Sequence, residues 1–130
     1  MIKRDFTADY INSVINHPSV RAGAQVIEDV DLSEFVKDPK NIILTYQGGG
    51  FVLIPRESSY EIHTQALPEG RGSKVRQAVE EMLEYMFERT ERVTSMVKHG
   101  NEAALKLARE FLDETHADEN YIYFEKVRCL

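Results

Sequence analysis

The segment between residues 59 and 90 constrains the fold most, because it encodes a strand, a turn and a long helix in succession. Residues 60–66 alternate between two faces of an extended chain, and the polar face carries Glu61, His63 and Gln65. A proline and two glycines in residues 68–72 predict a turn. Beyond residue 73 the apolar residues follow the i, i+3, i+4, i+7 spacing of a half-buried helix, at Val75, Ala78, Val79, Met82, Leu83 and Met86.

The start of this helix is a candidate anion site. Ser73 is a typical N-cap residue and predicts a helix that begins directly after the glycine turn. The first N–H groups of a helix lack partners within the helix, and the helix dipole adds partial positive charge there. Arg71, Lys74 and Arg76 form a local basic cluster. Together these features favour a phosphate-bearing ligand.

The remaining segments predict a mixed sheet. A first strand over residues 2–6 is followed by a helix capped by Thr7, and a short helix is predicted over residues 32–36. Two strands, residues 41–46 and 51–56, form a hairpin through the glycines of residues 47–50. Because no Gly-Lys-Ser/Thr follows these glycines, we interpret them as a turn and not as a phosphate-binding loop. Strand, helix and strand follow at residues 92–98, 102–113 and 121–129.

This order of elements predicts one domain spanning residues 1–130, of the α/β (α+β) class, with helices on the faces of a mixed sheet. The helix between residues 60–66 and residues 92–98 provides a crossover, which favours parallel pairing of those two strands.

Composition argues against several classes of function. A net charge of −6 argues against nucleic acid as the main partner. The only cysteine is Cys129, so no internal disulfide is expected, which suits a reducing compartment. We expect a cytoplasmic protein without a membrane span, since no signal peptide and no run of about 20 apolar residues is found. The four histidines show no metal-ligand spacing, so no metal site is predicted.

The turn PEGRG that opens the long helix, and the later HGNEAALKLAREFL, resemble the GNAT family of N-acetyltransferases. The resemblance covers most of the chain and implies a three-layer fold, with helices on both faces of a mixed, mostly antiparallel sheet. It also implies acetyl-CoA as the cofactor. In that family the backbone of a Gln/Arg-x-x-Gly-x-Gly/Ala segment holds the pyrophosphate, and the segment corresponds here to Arg71, Gly72, Ser73, Lys74, Val75 and Arg76. The family's Asn-x-x-Ala motif matches Asn101 and Ala104, which implies a place for Asn101 beside the pantetheine.

The sequence departs from the family pattern at three places. Lys74 and Arg76 occupy the two glycine positions, although their cationic side chains offer a partial substitute by reaching the phosphates. Ala108 replaces a tyrosine that often protonates the departing thiolate, and Leu112-Asp113 replaces Gly-Phe. This divergent pattern is most similar to small GNAT-like proteins of tailed bacteriophages, some of which are labelled head-assembly proteins.

Acetyl transfer needs a base, a donor that polarises the thioester carbonyl, and an acid for the thiolate. Glu61 and His63 are the candidate bases, because they share one strand face directly before the turn. The alternative is that Glu61 lies on a solvated face and His63 is a hydrogen-bonded structural histidine. The family resemblance implies that the fourth and fifth strands splay apart, which makes the backbone N–H of Leu67 the candidate donor. Tyr121 is the candidate acid with Tyr123 beside it, although tyrosines of a terminal strand are more often packing residues.

Two hypotheses follow from the sequence. The first is an acetyl-CoA-dependent N-acetyltransferase that acts on an amine acceptor. The second is a catalytically inactive GNAT-fold protein that binds phage structural proteins in the host cytoplasm, as a head-assembly factor or another protein-binding factor. Edge strands in such folds commonly pair or are covered, which leaves a homodimer open.

Overall fold

The computed structural model describes residues 1–24 and 28–129, and within them seven strands form one sheet. The strands are β1 Lys3–Arg4, β2 Ile42–Tyr46, β3 Gly49–Pro55, β4 Tyr60–Ala66, β5 Arg92–Lys98, β6 Asp113–Ala117 and β7 Tyr121–Val127. Their order in the sheet is β1-β2-β3-β4-β5-β7-β6. The pairing of β4 with β5 is parallel and every other pairing is antiparallel, which confirms the predicted mixed sheet.

Helices cover both faces of this sheet. They are α1 Asp9–Ile15, α2 Pro18–Ala24, α3 Ser73–Phe87 and α4 Glu102–Phe111, and Phe35–Lys37 and Pro68–Gly70 form short 3₁₀ turns. The α1 helix packs Ile11 and Ile15 against Ile43 and Val52 on one face. The opposite face carries α3 and α4, so the sheet is the middle layer of three.

The predicted apolar stripe of α3 is confirmed and forms the main core. Val75, Ala78, Val79, Met82 and Met86 are buried, and they pack on a sheet surface that includes Leu44, Phe51, Leu53, Ile62 and Val93. A smaller cluster under α4 contains Val97, Leu105, Ala108, Ile122 and Phe124. The alternating pattern of β4 is also confirmed, because Ile62 faces α3 while Glu61 and His63 belong to the other face.

Two predicted helix caps are wrong by one residue. Gly72, with φ of 73°, is the N-cap of α3, and Ser73 is its first helical residue. A serine would be strained at this positive φ, whereas glycine adopts it freely. At α1 the N-cap is Ala8 and not Thr7, and no side chain caps that end.

Long-range pairing corrects other boundaries. The structure shows two elements that the sequence did not predict, the α2 helix and the β6 strand, and β6 is fully exposed and held by pairing with β7. The helix predicted over residues 32–36 is the 3₁₀ turn Phe35–Lys37, and the α4 helix ends at Phe111, before the predicted residue 113. The hairpin turn consists of Gln47 and Gly48 alone, since the next two glycines already belong to β3.

The hairpin tip packs against the turn that precedes α3. A Cβ atom on Gly70 would lie 2.1 Å from the carbonyl oxygen of Gly48, and the hydroxyl of buried Tyr46 donates to the Gly70 carbonyl at 2.8 Å. Burial is the main reason that the pKa of Tyr46 is raised to about 12. This contact fixes the turn relative to the sheet.

Gly70→Ala is therefore expected to lower the free energy of unfolding by about 1–3 kcal/mol, because backbone must move to admit the methyl group. Urea unfolding measures this loss. Gly100→Ala is the matched control, because Gly100 has φ of 90° but no neighbouring atom within 4 Å, so only backbone strain acts there. A Gly70→Ala protein as stable as the wild type would mean that the two backbones do not meet this closely.

Candidate functional site

A cleft opens between β4 and β5 where their pairing stops. The two strands pair only at Tyr60 with Val93 and at Glu61 with Thr94. Beyond Glu61 the rest of β4 keeps its partner β3 on one side and has no paired strand on the other. The splay implied for these two strands is therefore present.

The hydrogen-bond pattern of β3 and β4 identifies the amides that point into this cleft. Arg56 N–H donates to the Ser59 carbonyl at one end of the ladder, and Leu67 N–H donates to the Gly48 carbonyl at the other, both at 2.8 Å. Because bonded and non-bonded pairs alternate in an antiparallel ladder, odd-numbered residues of β4 bond to β3 and even-numbered residues face away from it. The N–H groups of Thr64 and Ala66 therefore point into the cleft.

This pattern corrects the sequence hypothesis for the carbonyl donor. The N–H of Leu67 is already bonded to Gly48, so it is not free to polarise a bound carbonyl. The amides of Thr64 and Ala66, three residues and one residue before Leu67, take over that candidate role.

The first turn of α3 lies at the end of β4 and presents further free amides. The first intrahelical bond runs from Arg76 N–H to the Gly72 carbonyl at 3.2 Å, so the N–H groups of Ser73, Lys74 and Val75 have no helical acceptor. Space beside Gly72 is open, since a Cβ atom there would meet nothing within 4 Å. The side chain of Lys74 is exposed and has no partner within residues 1–24 and 28–129. These features fit a diphosphate.

The two arginines of the turn have different contacts. Arg71 donates from Nε to the Ala66 carbonyl at 3.2 Å and from Nη2 to the Ser19 carbonyl at 3.3 Å, so it bridges β4 and α2 at the mouth of the cleft. Arg76 pairs with Glu110 of α4, with 2.7 Å between Nε and Oε2. This ion pair conflicts with the hypothesis that the Arg76 side chain reaches the phosphates.

Asn101 has a clear structural role. It is the N-cap of α4, as the sequence predicts, and its Oδ1 accepts the N–H of Ala104 at 3.3 Å. Ala108 lies on the buried face of the same helix, so α4 offers no hydroxyl at the position where GNAT enzymes often carry a tyrosine. The proposed contact of Asn101 with pantetheine stays a prediction.

Glu61 and His63 lie together on the face of β4 opposite α3. His63 Nε2 lies 2.5 Å from Glu61 Oε2, while Arg56 reaches Glu61 Oε1 from Nε at 3.3 Å and from Nη2 at 3.2 Å. Burial by itself raises the pKa of Glu61, but the hydrogen bond and charge of His63, together with Arg56, outweigh it and lower that pKa. Glu61 is therefore ionised at neutral pH.

A cavity of about 220 Å³ lies on this face beside Glu61. Its lining is shared by four strands and consists of Glu61, Arg92, Thr94, Ser95, Met96, Thr115, His116, Tyr123, Phe124 and Glu125. The cavity is large enough for the amine end of a small acceptor.

The predicted acid, Tyr121, is not among the residues that line this cavity. Its neighbour Tyr123 lines it, stacks on His116 with 4.4 Å between ring centroids, and donates its hydroxyl to Asp118 at 2.7 Å. The hydrogen bond to Asp118 raises the pKa of Tyr123 and makes it a weaker acid. Tyr121 lies beside Tyr123, with 6.3 Å between the ring centroids, and its role as the acid stays a prediction.

Sequence reasoning missed Arg56, Thr64, Ala66 and His116 as site residues. Arg56 follows β3 and reaches Glu61 because the short β3–β4 turn brings them together, and the hairpin predicted for residues 41–46 and 51–56 did not include that turn. Thr64 and Ala66 contribute backbone groups, which no residue pattern reveals. His116 comes from β6, a strand without any alternating pattern.

Two absences complete the description. No helix in residues 1–24 or 28–129 is long and apolar enough to cross a membrane. Over the same residues, no group of three or more His, Cys, Asp or Glu side chains is placed to hold a metal ion.

No protein-family model matches the sequence, and no curated protein matches it significantly. Solved structures resemble it along nearly its whole length. The ribosomal-protein-alanine N-acetyltransferase of Brucella melitensis has a TM-score of 0.73 at 18% identity, covering 98% of this chain and 99% of that one. The N-acetyltransferase PseH of Campylobacter jejuni, solved with acetyl coenzyme A, has a TM-score of 0.70 at 19% identity, covering 99% and 100%.

A third structure is the spermidine N-acetyltransferase of Vibrio cholerae, solved with CoA and spermine. It has a TM-score of 0.77 at 16% identity, and the match covers 98% of this chain and 94% of that one. At these identities the likeness concerns the fold, and it confirms the fold that the sequence resemblance implies.

Proposed function

We propose that this chain, which has the fold of the GNAT N-acetyltransferases, transfers an acetyl group from acetyl-CoA to an amine. The observation that carries the proposal is two sets of free amides, those of Thr64 and Ala66 in the cleft and those of Ser73, Lys74 and Val75 in the first turn of α3. Amides of this kind suit a carbonyl at one end and a diphosphate at the other. Two of the similar structures were solved with acetyl coenzyme A or CoA bound.

Each part of the chain then has a defined task. Acetyl-CoA, when bound, supplies the activated acetyl group. The amides of Ser73, Lys74 and Val75 and the Lys74 ammonium bind the phosphates, and the β4 amides bind and polarise the thioester carbonyl. The acceptor amine enters from the cavity beside Glu61, where Glu61 or His63 takes its proton. The departing thiolate takes its proton from water, since Ala108 provides no acid.

The substitution of Lys74 and Arg76 for glycine does not close the phosphate site. Lys74 is exposed and Arg76 turns away to Glu110, so neither side chain covers the first-turn amides. This arrangement supports retained cofactor binding in spite of the altered motif.

A second candidate function is a catalytically inactive GNAT-fold protein that serves as a phage head-assembly or other protein-binding factor. Ala108 favours it, because the usual acid position is an alanine buried in the core. Arg71 also favours it, since its guanidinium bonds to the Ala66 carbonyl inside the cleft. In this reading the cleft binds no acetyl-CoA.

Thermal unfolding with millimolar acetyl-CoA or CoA distinguishes the two functions. A ligand that binds only the folded chain at one hundred times its Kd adds about 2.7 kcal/mol, which raises Tm by several degrees. We expect both compounds to raise Tm, and ADP at the same concentration to raise it less because it lacks pantetheine. An unchanged Tm with all three compounds would support the inactive factor and rule out the transferase.

A further inference from the structure

We propose that His63 is the proton acceptor of the transfer reaction and that Arg56 and Glu61 position it, an assignment that rests on the proposed function. Sequence and fold leave the base open between Glu61 and His63. The contacts of the three side chains decide between them.

The carboxylate of Glu61 is occupied on both oxygens. Oε1 accepts from Arg56 and Oε2 lies against His63 Nε2, as described above. Its side chain is only 18% exposed, compared with 35% for His63. Because its two oxygens already make three hydrogen bonds and its side chain is largely covered, Glu61 is less accessible to an incoming amine than His63.

The same contacts determine the tautomer of His63. An ionised carboxylate can only accept hydrogen bonds, so the proton of the neutral imidazole must be on Nε2. Nδ1 then carries the free lone pair, and it has no hydrogen-bond partner within the described part of the chain. The geometry is that of a histidine base oriented by a carboxylate.

The position of His63 in β4 suits this role. The next residue, Thr64, directs its N–H into the cleft, so the base and the carbonyl-polarising amide belong to successive residues. The cavity is lined by Glu61, the hydrogen-bond partner of His63, so an amine bound there lies beside the Glu61–His63 pair.

The transfer step balances with these groups. The amine nitrogen bonds to the carbonyl carbon of the thioester, and the carbon–sulfur bond breaks. The proton of the attacking amine goes to His63 Nδ1, and the imidazolium is stabilised by ionised Glu61. The thiolate takes a proton from solvent, His63 returns its proton to solvent, and the products are an amide and CoA.

Other ionisable groups lie in the cavity lining, at the mouth of the cleft and on α1. They are Arg71 at the mouth of the cleft, Arg92 of β5, Tyr123 and Glu125 of β7, His116 of β6 and Tyr10 of α1, whose hydroxyl accepts the Gly48 amide. The loop that packs with α1 on this face contributes apolar side chains, from Val30, Leu32, Phe35 and Val36. His116 is the other histidine on this face, and its variant is therefore the control for His63.

The first test is nitrogen-15 NMR of the histidine rings in the full chain, which needs no amine substrate. We expect neutral His63 to carry its proton on Nε2. In Glu61→Gln the Nε2 tautomer is expected to lose its preference, because the carboxylate that accepts its hydrogen bond is gone, whereas Arg56→Gln is expected to keep it. A proton on Nδ1 in the wild type, or the same tautomer population in the wild type and in Glu61→Gln, would overturn the assignment.

The second test is acetyl transfer to spermidine and to a peptide with an N-terminal alanine, followed by CoA release. For whichever amine reacts, His63→Gln is expected to lower kcat/KM about 100- to 10,000-fold and to remove the acidic limb of its pH profile. His116→Gln is expected to keep that limb, and His63→Asn serves as a second variant. The assignment would be contradicted if the acidic limb persisted in His63→Gln or disappeared in His116→Gln.

The two proposals fail in different ways. Acetyl-CoA is expected to raise Tm equally in the wild type and in His63→Gln, because His63 does not touch the phosphate turn. A wild type that acetyl-CoA does not stabilise would refute the transferase itself. If the wild type binds acetyl-CoA and His63→Gln keeps full activity, only the assignment of His63 as the base is refuted.

Discussion

Lys74→Glu is expected to weaken acetyl-CoA binding by about 10- to 100-fold, because it replaces a cation beside the diphosphate with an anion. The same change is expected to raise the free energy of unfolding slightly, by roughly a few tenths of a kcal/mol. The first turn of α3 contains no acidic residue, and a carboxylate there interacts favourably with the helix dipole. Loss of affinity with a gain in stability cannot be explained by misfolding.

Isothermal titration with acetyl-CoA and urea unfolding measure the two effects separately. Lys40→Glu is the matched control, since Lys40 is exposed, lies outside the site, and its reversal changes the net charge equally. We expect this control to bind acetyl-CoA like the wild type. Equal weakening in both variants would assign the effect to overall charge and would remove Lys74 from the site.

A second variant probes the backbone at the same place. Ser73→Pro deletes one first-turn N–H, and proline is well tolerated at the first position of a helix. We expect weaker acetyl-CoA binding with little loss of helix stability. Retained affinity would place the phosphates away from the Ser73 amide.

Phe51→Ala is expected to lower the free energy of unfolding by about 3–5 kcal/mol, the cost of removing a large aromatic side chain from a close-packed core. Phe51 is fully buried beneath α3, 6.1 Å from the ring of Tyr46, and pairs across the sheet with Thr64. A domain of this kind is stable by roughly 5–15 kcal/mol, so the loss is a large share of the total. The space left by the Phe51 ring also lies beneath α3, whose first turn is the proposed phosphate site.

Urea unfolding followed by far-ultraviolet circular dichroism measures this loss through the midpoint, with the slope as a check on two-state behaviour. Phe6→Ala makes the same chemical change at a side chain that is 72% exposed. We expect its effect to stay below about 1 kcal/mol, because little apolar surface is removed from the core. A loss of similar size at both positions would contradict the core assignment.

Local patterns were enough to predict several parts of the candidate site. The alternation of β4 places Glu61 and His63 on one face, and the helical period of α3 selects its buried stripe. Asn101 was identified as a helix cap because its side chain satisfies an amide three residues away. Each of these predictions depends on groups that are close in sequence, where the chain's own geometry determines the contact.

The missed elements lacked such local signals. The β6 strand is charged and fully exposed, so neither alternation nor apolar content marks it, and it exists because β7 offers a hydrogen-bonding edge. The N-cap at Gly72 depends on a positive φ that the path of the whole turn imposes. Sequence propensity favoured Ser73 there because it considers the hydroxyl and not the required backbone angle.

By itself the sequence determined which side chains share a face, because the strand and helix periods are properties of the backbone. The fold class followed from the order of those elements. Only the tertiary structure decided which β4 amides open into the cleft. Side chains point alternately above and below the sheet, whereas backbone N–H groups point within its plane. Which N–H groups of β4 point away from β3 depends on the register between the two strands. It likewise decided that Arg76 pairs with Glu110, 34 residues away, and that Arg56 holds Glu61, since charge pairing depends on distances that only folding creates.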